Sequence, residues 1–180
     1  MFDEKMKSMW EKAITFHGHA CPGLAVGCRM VYEAINELEL KERSGDEEIV
    51  CVTETDACCV DAAQVLLGCT LGKGNLFLKL RGKTAMSFFD RGTGRGCRIL
   101  WTGGGDDGLS REAKMELVLS SEGRTCFVLE TLPSGPPPEA LISRSVSCAK
   151  CGEMTSEGMV VHHEGRPYCL DCRPHHPRVF

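Results

Sequence analysis

The sequence predicts an α+β protein in which helices pack on an antiparallel sheet, followed by a small C-terminal module with four cysteines. Three observations support this prediction. Apolar residues recur at helical spacing in the first part of the chain, short runs typical of strands follow, and a proline-rich break precedes a cysteine-rich tail. Helices that come before a meander of strands indicate an α+β rather than a doubly wound architecture.

The first part of the chain carries three predicted helices and one strand. The longest helix is amphipathic, because Leu24, Val31 and Leu38 recur near helical spacing with polar residues between them. Asp56 is the predicted N-cap of the third helix. The predicted helices cover residues 3–14, 23–40 and 58–67, and the strand covers residues 49–53 after a polar turn at 42–47.

A meander of strands and one more helix are predicted in the second part of the core. These runs alternate apolar and polar residues or are rich in residues that favour strands, and turn residues separate them. A glycine-rich loop at 103–108 precedes the helix. The predicted strands cover residues 76–80, 84–90, 97–102 and 126–132, and the helix covers residues 110–120.

The sharpest boundary in the chain is the segment 133–138, which holds four prolines in six residues. This density excludes a helix or a central strand and predicts a stiff, extended linker. The linker separates a predicted core domain at 1–132 from a predicted zinc-finger domain at 139–180.

The composition argues against several function classes. The chain has 180 residues and a formal net charge of −4, and neither part has the strongly basic surface that nucleic-acid binding needs. No apolar run reaches the length of a signal-peptide core or a membrane span. Because 12 cysteines in a chain of this length are fewer than a disulfide scaffold carries, we expect a cytoplasmic, reducing location in which clustered thiols bind metals.

The tail contains two Cys-x-x-Cys pairs, which are a specific signal for zinc. Cys148 and Cys151 form one pair, and Cys169 and Cys172 form the other. Each pair places two thiolates on one tight turn, and two such turns close a tetrahedral shell around Zn²⁺. Because four sulfur ligands leave no open position, we expect a structural zinc ion that stabilises the small module.

A second group of metal-binding residue types precedes the long predicted helix. His17 and His19 flank Gly18, and an extended or looped backbone would point both imidazoles to the same side. Cys21 precedes Pro22, a favoured first residue of a helix, so Cys21 is expected at or near the N-cap. The helix dipole favours a thiolate there, which makes Cys21 a candidate nucleophile or ligand. The alternative is a buried cysteine that only packs.

The third predicted helix adds a cysteine and a carboxylate to this group. Cys58 and Asp61 are three residues apart and share one helix face, whereas Cys59 points elsewhere. Together with the two histidines they form a mixed set of donors, which can leave one coordination position open for water or a substrate. The sequence therefore predicts a candidate active site with a metal. The alternative is that His17 and His19 are ordinary loop histidines and that Cys58 packs in the core.

The other histidines and cysteines are not expected to bind metal. Four cysteines already complete the shell in the tail, and paired histidines are common in exposed turns. Five cysteines of the core have apolar neighbours and are expected to pack. These residues are His162, His163, His175 and His176 in the tail and Cys28, Cys51, Cys69, Cys97 and Cys126 in the core.

Four blocks of the core sequence are distinctive, namely FHGHACPGL at 16–24, ETDACCVDAAQ at 54–64, GCTLGKGN at 68–75 and GKTA at 82–85. In this order they resemble the FmdE family of formylmethanofuran dehydrogenase proteins. The resemblance implies an α+β core that assembles as an intertwined homodimer and carries a zinc finger beyond a linker. It also implies that the metal-associated cavity of the family is formed here by His17, His19, Cys21, Cys58 and Asp61.

The resemblance implies a link to a molybdenum- or tungsten-dependent enzyme that reduces CO₂ to a formyl group. From the residues we expect a second divalent ion, zinc, bound by His17, His19 and Cys58 in the core. Cys21 and Asp61 would be further ligands or proton-handling catalytic residues.

Two classes of function are compatible with the sequence: an enzyme that uses the core metal, and a protein without turnover of its own. The second is a non-catalytic accessory protein that docks on a larger redox enzyme through its zinc finger. A third and weaker idea is nucleic-acid recognition by the finger.

Overall fold

The computed structural model describes residues 2–40, 43–103 and 108–174. The predicted turn at 42–47 and loop at 103–108 lie partly outside these residues, and His175 and His176 lie wholly outside them. The internal contacts divide the chain into two units, Met1–Ala140 and Leu141–Phe180. Within the described ranges, no helix is both long enough and apolar enough to cross a membrane.

In the described residues of the first unit, four α-helices form one layer. They are α1 (Glu4–His17), α2 (Pro22–Leu38), α3 (Cys59–Leu67) and α4 (Arg111–Leu119). Asp3 and Ser110 cap α1 and α4 by accepting a hydrogen bond from a backbone N–H of the first turn. Cys21 is the N-cap of α2, as predicted. The prediction that Asp56 caps α3 is wrong. The first turn of this helix forms two residues later in the chain, so its N-cap is Cys58.

A five-stranded sheet forms the other layer. Its strands are β1 (Ile49–Thr53), β2 (Leu76–Leu78), β3 (Ala85–Asp90), β4 (Gly96–Trp101) and β5 (Phe127–Leu132), in the order β2-β1-β3-β4-β5. The pairs β1–β3, β3–β4 and β4–β5 are antiparallel, as predicted. Strand β2 is parallel to β1, because α3 connects the two strands as a crossover. The α+β class is confirmed, with a mixed sheet.

Helix α2 is the central element of the core. Leu24 and Val31 are fully buried and Leu38 is 4% exposed, which confirms the predicted amphipathic pattern. An added Cβ at Gly27 would overlap the carbonyl oxygen of Cys59 and lie 2.6 Å from its Cα atom, so α2 and α3 touch backbone to backbone there. This close approach brings the beginnings of the two helices together. The five cysteines that were predicted to pack are buried: Cys28, Cys51, Cys69, Cys97 and Cys126.

The predicted linker is fastened to the first unit. Arg91 donates hydrogen bonds from its guanidinium to the carbonyl oxygens of Pro137 and Pro138, at 2.7 and 3.2 Å. The backbone N–H of Ala140 donates to the Glu47 carboxylate at 3.1 Å. The proline-rich segment thus has a defined path to residue 140, after which the second unit begins.

Residues 141–174 of the second unit contain two small hairpins. Strand β6 (Ser145–Ser147) pairs with β7 (Met154–Ser156), and β8 (Val161–His163) pairs with β9 (Arg166–Tyr168). Short 3-10 helices occur at Glu157–Met159 here and at Ser121–Cys126 in the first unit. Among the described residues of the second unit, Cys148 alone is buried. Burial of apolar surface therefore contributes little to the stability of this unit.

Candidate metal sites

The first site forms where α1 ends and α2 begins. His17 is the last residue of α1, and Gly18 follows in the left-handed conformation with φ of 89°. A residue with a side chain would be strained there, whereas glycine allows the chain to reverse. The reversal places the ring centroids of His17 and His19 4.5 Å apart. The predicted convergence of the two imidazoles is present, and a left-handed glycine at the helix end produces it.

Cys21 reaches the two histidines from the beginning of α2. Its sulfur accepts a hydrogen bond from the backbone N–H of Leu24 at 3.3 Å. The Nε2 atom of His17 lies 3.8 Å from the same sulfur. One ligand atom from each of His17, His19 and Cys21 lies within 4.8 Å of the others. Two imidazole nitrogens and one thiolate are donors that Zn²⁺ accepts readily.

Asp61 lies behind His17 on the first turn of α3. The Nδ1–H group of His17 donates a hydrogen bond of 2.7 Å to Oδ2 of Asp61. The side-chain amide of Gln64 donates to Oδ1 of the same carboxylate at 2.9 Å. With the proton on Nδ1, the Nε2 atom of His17 has a lone pair for a metal. A carboxylate in this position fixes the tautomer and the ring orientation of a metal-binding histidine.

Cys58 lies beside Cys21 and outside the group of three converging ligand atoms. Its Cβ atom lies 3.3 Å from the position that a Cβ at Gly23 would take, so the Cys58 side chain rests against the first turn of α2. Burial raises the pKa of the Cys58 thiol, and the interaction with Cys21 adds to this rise. Cys59 is buried on the other side of α3, and burial raises the pKa of its thiol to about 12. Cys58, and not Cys59, therefore faces the first site, in agreement with the helix spacing.

The second site consists of the four tail cysteines. One sulfur from each of Cys148, Cys151, Cys169 and Cys172 lies within 4.8 Å of the others. The backbone N–H of Cys169 donates to the Cys148 sulfur at 3.4 Å. Hydrogen bonds from backbone N–H groups, first that of Cys151, lower the pKa of the Cys148 thiol to about 6. This environment favours the thiolate form of Cys148, the form that zinc binds, whereas the hydrogen bond with Cys169 raises the pKa of the Cys172 thiol to about 12.

His162 and His163 lie in strand β8, and both are exposed. Neither residue belongs to a group of converging ligand atoms in the described part of the chain. The four sulfur atoms therefore form this second site without a nitrogen donor.

Sequence reasoning missed one contributor to the first site and one exposed residue beside it in the chain. Gln64 holds the Asp61 carboxylate, and the spacing of three residues along α3 was the available signal for this pair. Phe16 precedes His17 in the chain, and its aromatic ring is 54% exposed. The position of Phe16 at the end of a helix gave no sign of this exposure in the sequence.

Two sequence comparisons relate the chain to known proteins. Residues 16–125 match the family model described as FmdE, molybdenum formylmethanofuran dehydrogenase operon. A relative from Archaeoglobus fulgidus, described as a probable S-adenosyl-L-methionine-binding protein, is 36% identical over 98 residues, which are 53% of this chain and 27% of the relative. This chain thus spans well under half of that relative.

A solved structure also resembles the chain. It is the crystal structure of a tungsten formylmethanofuran dehydrogenase FmdE-like protein from Syntrophus aciditrophicus. It matches this chain with a TM-score of 0.64 and 26% sequence identity. The match covers 92% of this chain and 90% of that chain, so it extends over both units.

Proposed function

The chain belongs to the FmdE family, and from that premise we propose that its first unit is a metal-binding domain that holds one divalent ion, zinc, at His17, His19 and Cys21. The observation that carries this proposal is the convergence of three ligand atoms within 4.8 Å, with a carboxylate hydrogen-bonded behind one of them. In the chemistry of its donors this arrangement resembles zinc sites in which the protein supplies three ligands.

Three protein ligands leave a fourth coordination position open. His19 is exposed, so the open side of the site faces solvent and is accessible to a small substrate. A bound divalent ion at such a site supplies Lewis-acid chemistry, which polarises a carbonyl or activates water. In this proposal the first unit catalyses a reaction of a small substrate that carries a carbonyl group.

The roles of the two cysteines follow from their positions. Cys21 has its sulfur among the converging ligand atoms, and Cys58 does not. We therefore assign Cys21 as the ligand and Cys58 as its neighbour, although the sequence favoured the reverse. Asp61 has both carboxylate oxygens engaged, by His17 and by Gln64, and therefore positions His17 rather than acting as a free acid or base.

The second unit holds a structural zinc ion in this proposal. Four thiolates complete the tetrahedral shell and leave no position for a substrate. Because only Cys148 is buried among the described residues of this unit, metal binding supplies the free energy that keeps it folded.

A second candidate function is that of an accessory protein that docks on a larger redox enzyme in the cytoplasm. The observation that favours it is apolar surface on the second unit, where Met154, Met159 and Leu170 are 67%, 57% and 47% exposed. Methionine side chains adapt to varied partner surfaces. In this role the core would form a homodimer, as the family resemblance implies.

Elemental analysis of the purified full-length protein tests the main proposal. We expect two zinc ions per chain in the wild type and one in His19→Ala. His162→Ala removes an exposed histidine of β8 and should keep both ions. A wild type with one ion, or a His19→Ala variant that keeps two, would contradict the core site.

A further inference from the structure

Two cysteines at the edge of the first site have their side chains against the same helical turn, the first turn of α2. Cys21 and Cys58 are the N-caps of α2 and α3, whose backbones touch at Gly27. An added Cβ at Gly23 would lie 3.3 Å from the Cβ atom of Cys58 and 3.9 Å from its sulfur. The Cys58 side chain thus lies against the first turn of α2, the same turn in which the Cys21 sulfur accepts a hydrogen bond from the backbone N–H of Leu24.

We propose that Cys21 and Cys58 are a redox-active pair that forms a disulfide in the metal-free protein, and that this disulfide and the core metal exclude each other. The proposed disulfide is supported by the positions of the two side chains at the beginnings of α2 and α3. The exclusion rests on the proposed function, because it requires Cys21 to be a metal ligand.

The oxidant in this proposal is a low-molecular-weight disulfide. Cys58 is the more accessible of the two thiols, and its thiolate attacks one sulfur of the oxidant. The S–S bond of the oxidant breaks, one small thiol leaves, and a mixed disulfide remains on Cys58. The Cys21 sulfur then attacks the Cys58 sulfur and releases the second small thiol. The two cysteines lose two electrons and two protons, and the oxidant takes them up as two thiols.

The other cysteines near α3 are less suited to this reaction. Cys51, Cys59 and Cys69 are at most 1% exposed, so an oxidant has no direct access to them. Cys28 is also fully buried, on the turn of α2 that faces the core. The pair at the helix beginnings is distinguished by the partial exposure of Cys58.

The test uses the full-length protein after zinc removal by a chelator. The protein is incubated with glutathione disulfide at mildly alkaline pH, free thiols are blocked, and tryptic peptides are mapped without reduction. Trypsin releases Cys21 in the peptide 13–29 and Cys58 in the peptide 44–73. We expect these two peptides to be joined, with a mass lower by two hydrogen atoms than their sum. The helical signal in circular dichroism verifies that the first unit, which contains α1 to α4, stays folded after zinc removal.

Each of the two peptides contains more than one cysteine, so matched variants identify which two cysteines form the disulfide. Cys59→Ala and Cys28→Ala should keep the joined peptides, whereas Cys58→Ala and Cys21→Ala should lose them. Zinc loading before oxidation should lower the joined fraction by about tenfold or more, since binding to the reduced form opposes oxidation by mass action.

Metal-free wild type with a folded first unit, in which the two peptides stay separate, would overturn the inference. A joined pair that persists in Cys58→Ala would also overturn it. The wild-type map decides even where a variant does not fold. Joined peptides in a protein that binds no core zinc would contradict the proposed function alone. Core zinc in a protein whose metal-free form never joins the peptides would contradict the redox pair alone.

Discussion

The Nδ1–H group of His17 donates a hydrogen bond of 2.7 Å to Oδ2 of Asp61, and this bond joins the end of α1 to the first turn of α3. The two side chains are 12% and 32% exposed, so solvent weakens the interaction only in part. Gln64 holds the other carboxylate oxygen. The bond fixes which nitrogen of His17 faces Cys21 and His19, and it makes Asp61 a positioning residue for the proposed metal.

Asp61→Asn should lower the zinc affinity of the core site by about 10–100-fold, because a neutral amide orients and polarises His17 less than a carboxylate does. Competition with a zinc-binding dye measures the change in the full-length protein. Asp56→Asn, which replaces an exposed carboxylate before α3, is the control and should leave the affinity unchanged. Equal zinc affinities of the Asp61→Asn variant and the wild type would contradict the proposal that Asp61 positions His17.

Cys21→Ser and Cys58→Ser should differ in zinc content. The first variant loses a proposed ligand and should retain only the tail ion, whereas the second should retain both. Elemental analysis of the two variants, prepared side by side, measures this difference. Loss of one ion from Cys58→Ser but not from Cys21→Ser would restore the ligand assignment that the sequence favoured.

Glu54→Gln should lower the free energy of unfolding by about 1.5–3 kcal/mol at neutral pH, the range of a hydrogen bond to a charged group. Arg98 donates two hydrogen bonds to this carboxylate, at 2.6 and 3.2 Å, and these bonds lower the pKa of Glu54. Because the pKa is lower in the folded state, the stabilisation is complete above the ordinary carboxyl pKa. It is lost as the pH falls through the folded-state value.

Urea unfolding of Glu54→Gln and the wild type at several pH values measures this effect, and the difference should vanish in acid. Glu130→Gln is the matched control, because Glu130 is 58% exposed and lies 3.7 Å from the same guanidinium. Its effect should stay below about 1 kcal/mol. An equal decrease in the free energy of unfolding of the two variants would show that the Glu54–Arg98 pair stabilises the fold no more than the exposed Glu130–Arg98 pair.

Gly27→Ala should destabilise the first unit by about 1–3 kcal/mol, because the new methyl group would overlap the Cys59 carbonyl oxygen. The two helices would have to separate, which also moves Cys58 away from Cys21. Gly72→Ala meets no atom within 4 Å and should change stability by less than about 0.5 kcal/mol. Thermal unfolding of both variants checks the difference, and equal midpoints would contradict the described helix contact.

Removal of zinc should unfold the second unit before the first. Limited trypsin digestion after chelation should cleave faster than in the metal-bound protein at Arg144, which precedes the first Cys-x-x-Cys pair, and at Lys150, which lies inside it. The buried Arg29 in α2 should stay protected in both conditions and serves as the internal control. Equal protection of the tail with and without metal would mean that zinc does not supply its folding free energy.

The sequence predicted the elements of the fold better than their pairing. The β-rich run at 49–53 located β1 at its observed residues, and the pattern of Leu24, Val31 and Leu38 located α2. The sequence did not reveal that β2 runs parallel to β1. That direction depends on how α3 crosses the sheet, which is decided by packing between residues far apart in the sequence.

The same limit applies to the candidate site. Residue spacing correctly placed Cys21 at a helix N-cap and separated Cys58 from Cys59. It could not decide whether Cys21 or Cys58 has its sulfur beside the histidines. The choice depends on the close crossing of α2 and α3, which Gly27 permits and which no local pattern records.

X-ray absorption at the zinc edge tests the central claim most directly, on the full-length protein as purified. A core ion bound by two histidines and one cysteine, together with a tail ion bound by four cysteines, predicts a mixed shell of sulfur and nitrogen with the outer scattering of imidazole rings. His19→Ala should weaken the imidazole signal. A shell of sulfur alone in the wild type would contradict a metal centre at His17, His19 and Cys21.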